Sequence, residues 1–185
     1  MRQVLYGFGD CLLLWLTLFI AASSIAMEEP AMDAEAYFSR ANGHMSKRQY
    51  DQAISDFTKA LEINPRLAEA YYNRGNAKRI KRQHDEAISD HTKALDIDPR
   101  YAEAYSNRGV AYESKGEHDQ AISDFTKALE IDPRYARAYT GRAVAYYHLK
   151  DYDRAWDDVH KAQELGVKVE TGFLKNLSEA SGREK

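Results

Sequence analysis

A 34-residue period runs through most of this chain and constrains its fold more than any single motif does. Four units of equal length follow one another without insertion, and the second and third are identical at 24 of 34 positions. The units are Ala34–Leu67, Ala68–Tyr101, Ala102–Tyr135 and Ala136–Val169. Self-similarity at a fixed period of this length predicts a stack of one supersecondary unit. We therefore expect the function to lie on the surface that stacking builds.

Small and large apolar residues recur in fixed columns within every unit. Their spacing of three, four and seven residues places them on one face of a helix, and each unit contains two such stretches. The small columns are Ala41, Gly75, Gly109 and Ala143; Ala53, Ala87, Ala121 and Ala155; and Ala60, Ala94, Ala128 and Ala162. The large columns include Tyr37, Tyr71, Tyr105 and Tyr139, and also Phe57, His91, Phe125 and Val159. Each unit is therefore predicted to be a pair of packed helices.

Polar segments separate the two helices of each unit, and proline ends the second helix. The predicted breaks are Lys47-Arg48-Gln49, Arg82-Gln83-His84, Lys115-Gly116-Glu117 and Leu149-Lys150-Asp151. Proline removes a backbone donor and disfavours the helical conformation of the residue before it. Second helices are therefore expected from about Asp51, Asp85, Asp119 and Asp153, and the first three should end just before Pro65, Pro99 and Pro133.

At these positions the chain resembles the tetratricopeptide repeat family. The family pattern places an aromatic residue, a small residue, a tyrosine, Ala-x-x-x-Phe and a proline in this order. Ala53, Phe57 and Pro65 fit it, whereas His91 replaces the phenylalanine of the second unit. The resemblance covers residues 34–169 and implies an all-α fold, a right-handed superhelical solenoid of four helix hairpins.

The segment 170–185 is predicted to close the stack. Phe173, Leu174 and Leu177 fall on one helical face before charged residues take over, so we expect a capping helix at roughly Thr171–Ala180 and a polar tail. At the other end, residues 27–33 leave room for only a short linker.

The first 26 residues have the composition of an export signal. Arg2 precedes an apolar run from Cys11 to Ala22, and Ser24-Ile25-Ala26 has the small residues that a signal peptidase requires. The run of 12 residues is short for a membrane span, which needs about 20. We expect a cleaved signal peptide and an exported bacterial protein, periplasmic or secreted. The alternatives are an uncleaved single-pass anchor in the inner membrane, with the repeats outside the cytoplasm, and lipid attachment at Cys11.

Charge and cysteine content exclude several functions. The chain has 26 Lys and Arg against 29 Asp and Glu, a net charge of −3, so it lacks the excess positive charge that nucleic-acid binding requires. Its single cysteine, Cys11, lies in the signal segment and offers no internal disulfide. We found no phosphate-binding loop, nucleophile elbow or His-Glu-x-x-His helix, and therefore expect a protein that is not an enzyme and uses no cofactor.

Three histidines permit either a metal site or a packing role. His84 and His91 lie seven residues apart in one predicted helix, and His118 repeats the position of His84 one unit later. A metal could bind on that face. Because these positions belong to aromatic columns, we favour half-buried packing residues and expect no metal.

An arginine in every first helix accompanies an aspartate in every second helix. The arginine stem can pack like the leucine of the family pattern while its guanidinium pairs with the aspartate; the other interpretation is an anion-binding stripe. We favour the ion-pair ladder, because the arginine is a property of the repeat. The two columns are Arg40, Arg74, Arg108 and Arg142, and Asp56, Asp90, Asp124 and Asp158.

The resemblance implies that first helices line a concave groove, where the units differ most. The candidate partner-binding residues are Phe38, Asn42, Met45, Tyr72, Asn73, Asn76, Arg79, Asn107, Glu113, Arg137, Tyr147 and His148. Variable side chains on a constant scaffold are typical of a binding surface, and this mixture of aromatic, amide and charged groups suits an extended or helical peptide. The predicted partner is therefore a protein or peptide.

Some relatives that bind chaperones grip a C-terminal carboxylate where Asn76, Asn107 and Arg137 stand here. The two other cationic positions of that clamp are Tyr72 and Gly141 in this chain. The favoured function is a non-catalytic adaptor of the cell envelope, monomeric, with its partner in the groove. The alternative is an envelope chaperone or secretion component that acts through self-association and peptide capture.

Overall fold

A computed structural model of the chain describes residues 32–183. The predicted signal segment 1–26, most of the linker 27–33 and the last two residues of the tail lie outside the described residues. Within the described part the chain is all-α, with nine helices and no strand. The helices are α1 (Ala34–Ser46), α2 (Tyr50–Ile63), α3 (Ala68–Ile80), α4 (His84–Ile97), α5 (Ala102–Ser114), α6 (His118–Ile131), α7 (Ala136–His148), α8 (Tyr152–Glu164) and α9 (Thr171–Ser181).

Successive pairs of these helices form the predicted solenoid of four hairpins. Each first helix packs on the second helix of its own unit, and α3, α5 and α7 also pack on the second helix of the unit before them. The fold class predicted from the period is therefore confirmed. Contacts link neighbouring units, so cohesion depends on the burial between adjacent pairs, as in other repeat proteins.

The turns inside the hairpins have the predicted length of three residues, and those of the first, third and fourth units span the predicted residues 47–49, 115–117 and 149–151. In the second unit the turn is 81–83, so His84 is the first residue of α4 and does not belong to the break. In all four turns the same position has a left-handed backbone, with φ of 60° at Arg48, 63° at Arg82, 78° at Gly116 and 62° at Lys150. Only the third unit supplies glycine there, although a left-handed residue with a Cβ is strained.

The connections between hairpins repeat one hydrogen-bonding motif. The helices before them end at Ile63, Ile97 and Ile131, two residues before proline, as predicted. The Asp98 and Asp132 carboxylates each accept a hydrogen bond at 2.9 Å from the backbone N–H two residues later. Side chains of this type stabilise turns by bonding their own backbone in this way, so the Asn/Asp-Pro-Arg sequence fixes each corner.

The small columns form the core and allow the helices to approach closely. The alanines of all three columns are fully buried, and Phe57 and Phe125 are at most 1% exposed. A Cβ built on Gly75 would lie 2.9 Å from Cε1 of His91, and one on Gly109 would lie 3.1 Å from Cε1 of Phe125. These glycines therefore make room for the aromatic ring of the second helix in their own hairpin.

The predicted arginine–aspartate ladder is confirmed. Each guanidinium binds the aspartate of its own unit through two hydrogen bonds; in the second unit Arg74 Nε and Nη2 donate to Asp90 at 2.8 and 2.6 Å. The other three pairs, Arg40 with Asp56, Arg108 with Asp124 and Arg142 with Asp158, have the same geometry. Two parallel charge-assisted bonds hold each hairpin together.

The ladder also joins neighbouring units, which the sequence did not reveal. Nη1 of Arg74 donates to the Thr58 hydroxyl of the preceding unit at 3.0 Å. Arg108 and Arg142 make the same bond, at 3.0 Å, to Thr92 and Thr126. Since these guanidinium groups already bind a carboxylate and a hydroxyl, they are not a free anion-binding stripe.

The last helix, α9, continues the repeat in the position of a first helix, and no second helix follows it within residues 32–183. It covers the predicted capping segment and is followed by Gly182 as its C-cap, which has a left-handed backbone with φ of 68°. Phe173 and Leu177 occupy the columns of Tyr139 and Ala143, and Leu177 is fully buried. The Trp156 indole donates to the Ser181 hydroxyl at 3.0 Å, which fixes the end of this helix. The predicted capping helix is confirmed.

Candidate functional site

The first helices α1, α3, α5 and α7 contact one another in order and form one wall of the solenoid. A pair of asparagines joins α1 to α3 and a second pair joins α3 to α5. Asn73 donates to the amide oxygen of Asn42 at 3.2 Å, and Asn107 donates to that of Asn76 at 2.9 Å. Four predicted binding residues therefore form one row of amide groups along the wall. The row stops at α7, where Gly141 stands in the Asn107 column.

A pocket of about 330 Å³ opens where the row of amides ends. Three predicted binding residues line it and come from three successive first helices: Arg79 from α3, Asn107 from α5 and Arg137 from α7. Its remaining lining residues are Ser106, Val110, Tyr135, Thr140 and Val167. The pocket thus combines two cations, an amide, hydroxyl groups and two apolar side chains.

The two arginines of this pocket differ from the arginines of the ladder. Nε of Arg79 is buried and has no hydrogen-bond partner among residues 32–183. Neither Arg79 nor Arg137 forms an ion pair with a carboxylate of the described chain, and Glu113 on the same wall lies 3.5 Å from His148 instead. An unpaired guanidinium in a partly enclosed site is a binding group for an anion.

Tyrosines form the floor beside the amide row. The Tyr72 ring stacks at a tilt on Tyr101, with 4.8 Å between ring centroids, and its hydroxyl accepts a hydrogen bond from Asn107 at 3.0 Å. Burial raises the pKa of Tyr101, and burial also raises the pKa of Tyr135 although Arg137 opposes that change. The two phenols are therefore neutral hydrogen-bonding groups at physiological pH and do not cancel the charge of the arginines.

The remaining predicted binding residues lie away from the pocket. Phe38 and Met45 are half-buried against the apolar core around Phe57 and Leu61, where the Phe38 ring is 5.8 Å from that of Phe57. Tyr147 packs edge-on against Phe173 of α9 at 5.6 Å. His148 stacks on His118 at 4.7 Å, with 10° between the ring planes. These side chains contribute to packing at the two ends of the wall, and the structure does not bring them together with Arg79 and Arg137.

The histidines show the packing role favoured from the sequence. His91 occupies the phenylalanine column of the second unit and is fully buried, where half-burial was predicted, and both its ring nitrogens lack partners among the described residues. Desolvation, reinforced by the charge of Arg79, lowers its pKa to about 3, so the ring is neutral. Within residues 32–183 no group of three or more potential metal ligands comes together. In the same range no helix has the length and apolarity of a membrane span.

Five lining residues are absent from the list of candidate binding residues. Three of them, Ser106, Val110 and Thr140, belong to the columns that the resemblance places on the concave wall, because they repeat the positions of Tyr72, Asn76 and, for Thr140, Ser106. Tyr135 and Val167 lie at connections between helices. No helical periodicity extends to such positions, and only the packed structure places them at the pocket.

Comparison with known families agrees with this architecture. Profiles described as tetratricopeptide repeat match residues 34–67 and 102–135, and a second set with the same description matches 57–89 and 125–157. A profile described as TPR repeat matches residues 75–116. Together these matches cover residues 34–157, most of the stretch 34–169 in which the columns and the hairpins repeat. No curated protein matches the chain.

Solved structures give the same result. The crystal structure of MamA matches with a TM-score of 0.71 and 27% identity over 88% of this chain and 96% of that one. The first TPR of Spaghetti (RPAP3), bound to HSP90 peptide SRMEEVD, matches with a TM-score of 0.62 and 26% identity over 63% and 92% of the two chains. The Arabidopsis OM64 TPR domain is 30% identical, with a TM-score of 0.61, and covers 62% of this chain and 95% of its own length. Domains of this kind generally mediate protein–protein interaction. The chain belongs to the tetratricopeptide repeat family.

Proposed function

We propose that this protein is a non-catalytic interaction scaffold that binds an extended segment of a partner protein along the wall formed by its first helices. The observation that carries the proposal is the convergence of Arg79, Asn107 and Arg137, from three different helices, on one pocket. Arg79 and Arg137 are not repeated at their positions in the other units, so the repeat does not explain their meeting and a ligand does. A partner segment lying across the units would contact several of them at once.

The amide row is suited to the backbone of a peptide. An asparagine side chain carries both a donor and an acceptor, as a peptide group does, so it can bond a partner of any sequence. Asn42, Asn73, Asn76 and Asn107 are half-buried on the wall and are spaced along it by their mutual hydrogen bonds. Side-chain pockets such as the one at Arg79 would then supply specificity.

The complex of Spaghetti (RPAP3) with the HSP90 peptide SRMEEVD supports this proposal, because a neighbour of the same fold binds a short peptide that carries three acidic residues. The proposal for the present chain does not extend to that partner. Its identity depends on the side chains of the groove, which differ between members of one fold.

The proposed site of action is the cell envelope, and the support for it is the sequence of residues 1–26. A charged start, an apolar run and small residues before Met27 have the order of a cleaved signal. We expect the chain recovered from its native cells to begin near Met27 in an exported fraction. The intact mass of the protein tests this, since a mass that includes residues 1–26 would exclude cleavage.

Peptide binding is tested with an array of immobilised nine-residue peptides of random composition, probed with the tagged full chain. Asn76→Ala combined with Asn107→Ala removes the amide pair. We expect this double variant to bind the captured peptides at least about tenfold more weakly than the wild type, since each lost hydrogen bond is worth about 0.5–1.5 kcal/mol. The matched control is Gln52→Ala with Gln120→Ala, which removes two exposed amides from the second helices. Equal capture by both double variants, with unchanged helicity, would place the interface elsewhere and contradict the proposal.

A further inference from the structure

We infer that the pocket between Arg79 and Arg137 selects an acidic side chain within the partner segment and does not capture the segment's C-terminal carboxylate. The inference rests on the proposed function and adds the chemical class of one partner residue. A carboxylate in this pocket could come from two sources, the side chain of a glutamate or aspartate inside the peptide or the C-terminus of the peptide chain. Three features of the pocket favour the internal residue.

The first feature is unneutralised positive charge. The four ladder arginines each bind an aspartate, whereas Arg79 and Arg137 bind no carboxylate of residues 32–183. Nε of Arg79 is buried and without a partner, which costs free energy until a ligand supplies an acceptor. A carboxylate that reaches this nitrogen would satisfy the donor and the charge together.

The second feature is that Asn107 has no donor left for a terminal carboxylate. Its two amide hydrogens go to the Tyr72 hydroxyl at 3.0 Å and to the Asn76 amide oxygen at 2.9 Å. Within the described chain this leaves the Asn107 oxygen as an acceptor and the Asn76 nitrogen as a donor. A carboxylate accepts only, but a backbone peptide group both donates and accepts, so the asparagine pair suits the interior of a peptide.

The third feature is the absence of space for a further cation beside the amide pair. A Cβ at Gly141 would lie 2.4 Å from Cζ of Phe125, so no side chain can project from that position without moving the ring. Tyr72 holds the opposite position with its ring against Tyr101 and His91. Of the cationic positions that such relatives use for a terminal carboxylate, two are therefore occupied by the packing of the repeat, and only Arg137 carries a charge.

The pocket can also hold the stem of an acidic side chain. Val110 and Val167 are half-buried and lie on its lining together with Arg79. Apolar walls next to a guanidinium accommodate the methylene groups of a glutamate while its carboxylate meets the charge. A bare terminal carboxylate has no such stem.

The test uses two matched peptide arrays and the full chain. Both arrays hold nine-residue peptides with a C-terminal amide and random flanking residues; the central residue is glutamate in one array and glutamine in the other. We expect the wild-type chain to bind the glutamate peptides about 10 to 100 times more tightly, the range of one or two charge-assisted hydrogen bonds. Arg79→Gln combined with Arg137→Gln should remove that preference, so that this variant binds the glutamate and the glutamine peptides equally.

The control is Arg100→Gln combined with Arg134→Gln, which changes the net charge equally at two exposed corners of the solenoid. We expect it to retain the preference for glutamate; loss of the preference in this variant would show a general charge effect and overturn the inference. A third array, with free C-terminal carboxylates and glutamine at the centre, tests the other source. If those peptides bind as tightly as the glutamate peptides, the inference is overturned. It is also overturned if the Arg79→Gln, Arg137→Gln variant keeps its preference for glutamate.

The same arrays separate this inference from the proposed function. Peptide binding that depends on Asn76 and Asn107 but shows no preference for an acidic residue would overturn only the inference. If no peptide binds in any array, both are overturned. Melting curves of each double variant establish that a lost signal reflects the groove, because Arg79, Arg137, Arg100 and Arg134 form no ion pair within residues 32–183 whose loss would unfold the chain.

Discussion

The second and third units are the most similar parts of this chain and yet differ in the quality of their cores. Both keep the buried alanines, the arginine–aspartate pair and the closing proline. In the third unit Phe125 is packed in a cluster of six buried apolar residues, whereas His91 replaces that ring in the second unit and its cluster has three. The histidine brings two polar nitrogens into the core without partners among the described residues. The smaller apolar cluster and the orphaned nitrogens are consistent with a looser second unit.

The differences between these two units fall into three groups with separate physical consequences. His91 against Phe125 changes the polarity of the core, and Arg82 against Gly116 changes the strain of the turn. Arg79 and Asn76 differ from their third-unit counterparts on the groove wall. The comparison shows that the buried columns shared by the units hold the fold, while the positions that differ change local stability or the side chains of the groove wall.

The largest expected effect comes from the ion pairs. Asp90 is held by both Arg74 and Lys78, at 2.6 and 2.7 Å, and its side chain is only 3% exposed. Asp90→Ala leaves two cations without their carboxylate, and we expect it to lower the free energy of unfolding by about 3–5 kcal/mol. Asp124→Ala leaves only Arg108 without its carboxylate, so it should lower the free energy of unfolding by less than Asp90→Ala does. Urea unfolding of both variants measures the difference.

The control for this prediction is Asp85→Ala. Asp85 pairs with Lys115 on the surface and its side chain is 79% exposed, so its loss should cost at most about 1 kcal/mol. If Asp90→Ala were no more destabilising than Asp85→Ala, the ladder would contribute nothing to cohesion.

The next largest effect should follow from filling the space at Gly109. A leucine there must displace Phe125, whose ring lies 3.1 Å from the position of a Cβ, so Gly109→Leu should cost about 1–3 kcal/mol. Gly43 lies in the first helix with nothing within 4 Å of a Cβ. Gly43→Leu should therefore stabilise, by up to about 1 kcal/mol, because glycine is a poor helix former. If thermal melting showed that Gly109→Leu and Gly43→Leu change the melting temperature in the same direction, the packing argument would be refuted.

Replacing the buried histidine should convert the second unit into a copy of the third. We expect His91→Phe to raise the free energy of unfolding at pH 7 by about 1–3 kcal/mol, since it removes buried polar atoms that have no partner. The gain should grow as the pH falls. The pKa of His91 is about 3 in the folded chain against 6.5 in model compounds, so between these values the unfolded chain binds a proton that the folded chain does not.

Urea unfolding of wild type and His91→Phe at several pH values between 3 and 7 measures this growth. The difference between the two proteins isolates His91 from the carboxylates, among them Asp56, whose pKa is lowered by its hydrogen bond to Arg40. A difference that stays constant over this range would mean that His91 titrates normally in the folded chain.

The smallest expected effect concerns the turns. Arg82 and Gly116 hold the same left-handed conformation, with φ of 63° and 78°. Gly116→Ala should destabilise by about 1 kcal/mol, because a Cβ is strained in this conformation, and Arg82→Gly should stabilise by up to a similar amount. Calorimetry can resolve both shifts. If Arg82→Gly were destabilising instead, contacts of the Arg82 side chain would outweigh the strain of its turn.

Much of the fold could be predicted from the sequence because its determinants are local and repeated. The helix columns, the polar breaks and the prolines recur every 34 residues, so each unit confirms the phase of the others. The pairing of Arg74 with Asp90 could be foreseen for the same reason, since both residues occur in every unit. The break before His84 was placed one residue late because the left-handed turn residue is glycine in only one unit and leaves no common signal.

The residues that line the pocket were predicted only in part. Arg79, Asn107 and Arg137 were named from their columns, but so were Phe38 and Tyr147, which pack against Phe57 and Phe173 instead. A helical column predicts which way a side chain points but not which residues it contacts. The two ends of a solenoid have different neighbours from its middle, and the columns do not record this difference.

The sequence by itself determined that the chain builds helix hairpins in a stack, because hydrophobic periodicity and proline placement act within a few residues of each position. Only the tertiary structure decided which groove residues share one pocket and which of their hydrogen bonds are already used. Arg79 and Arg137 are 58 positions apart in the sequence, and the distance between them depends on how three helices pack. The packing of these helices depends on many weak contacts between residues far apart in the sequence. A pattern within a few residues therefore cannot predict it.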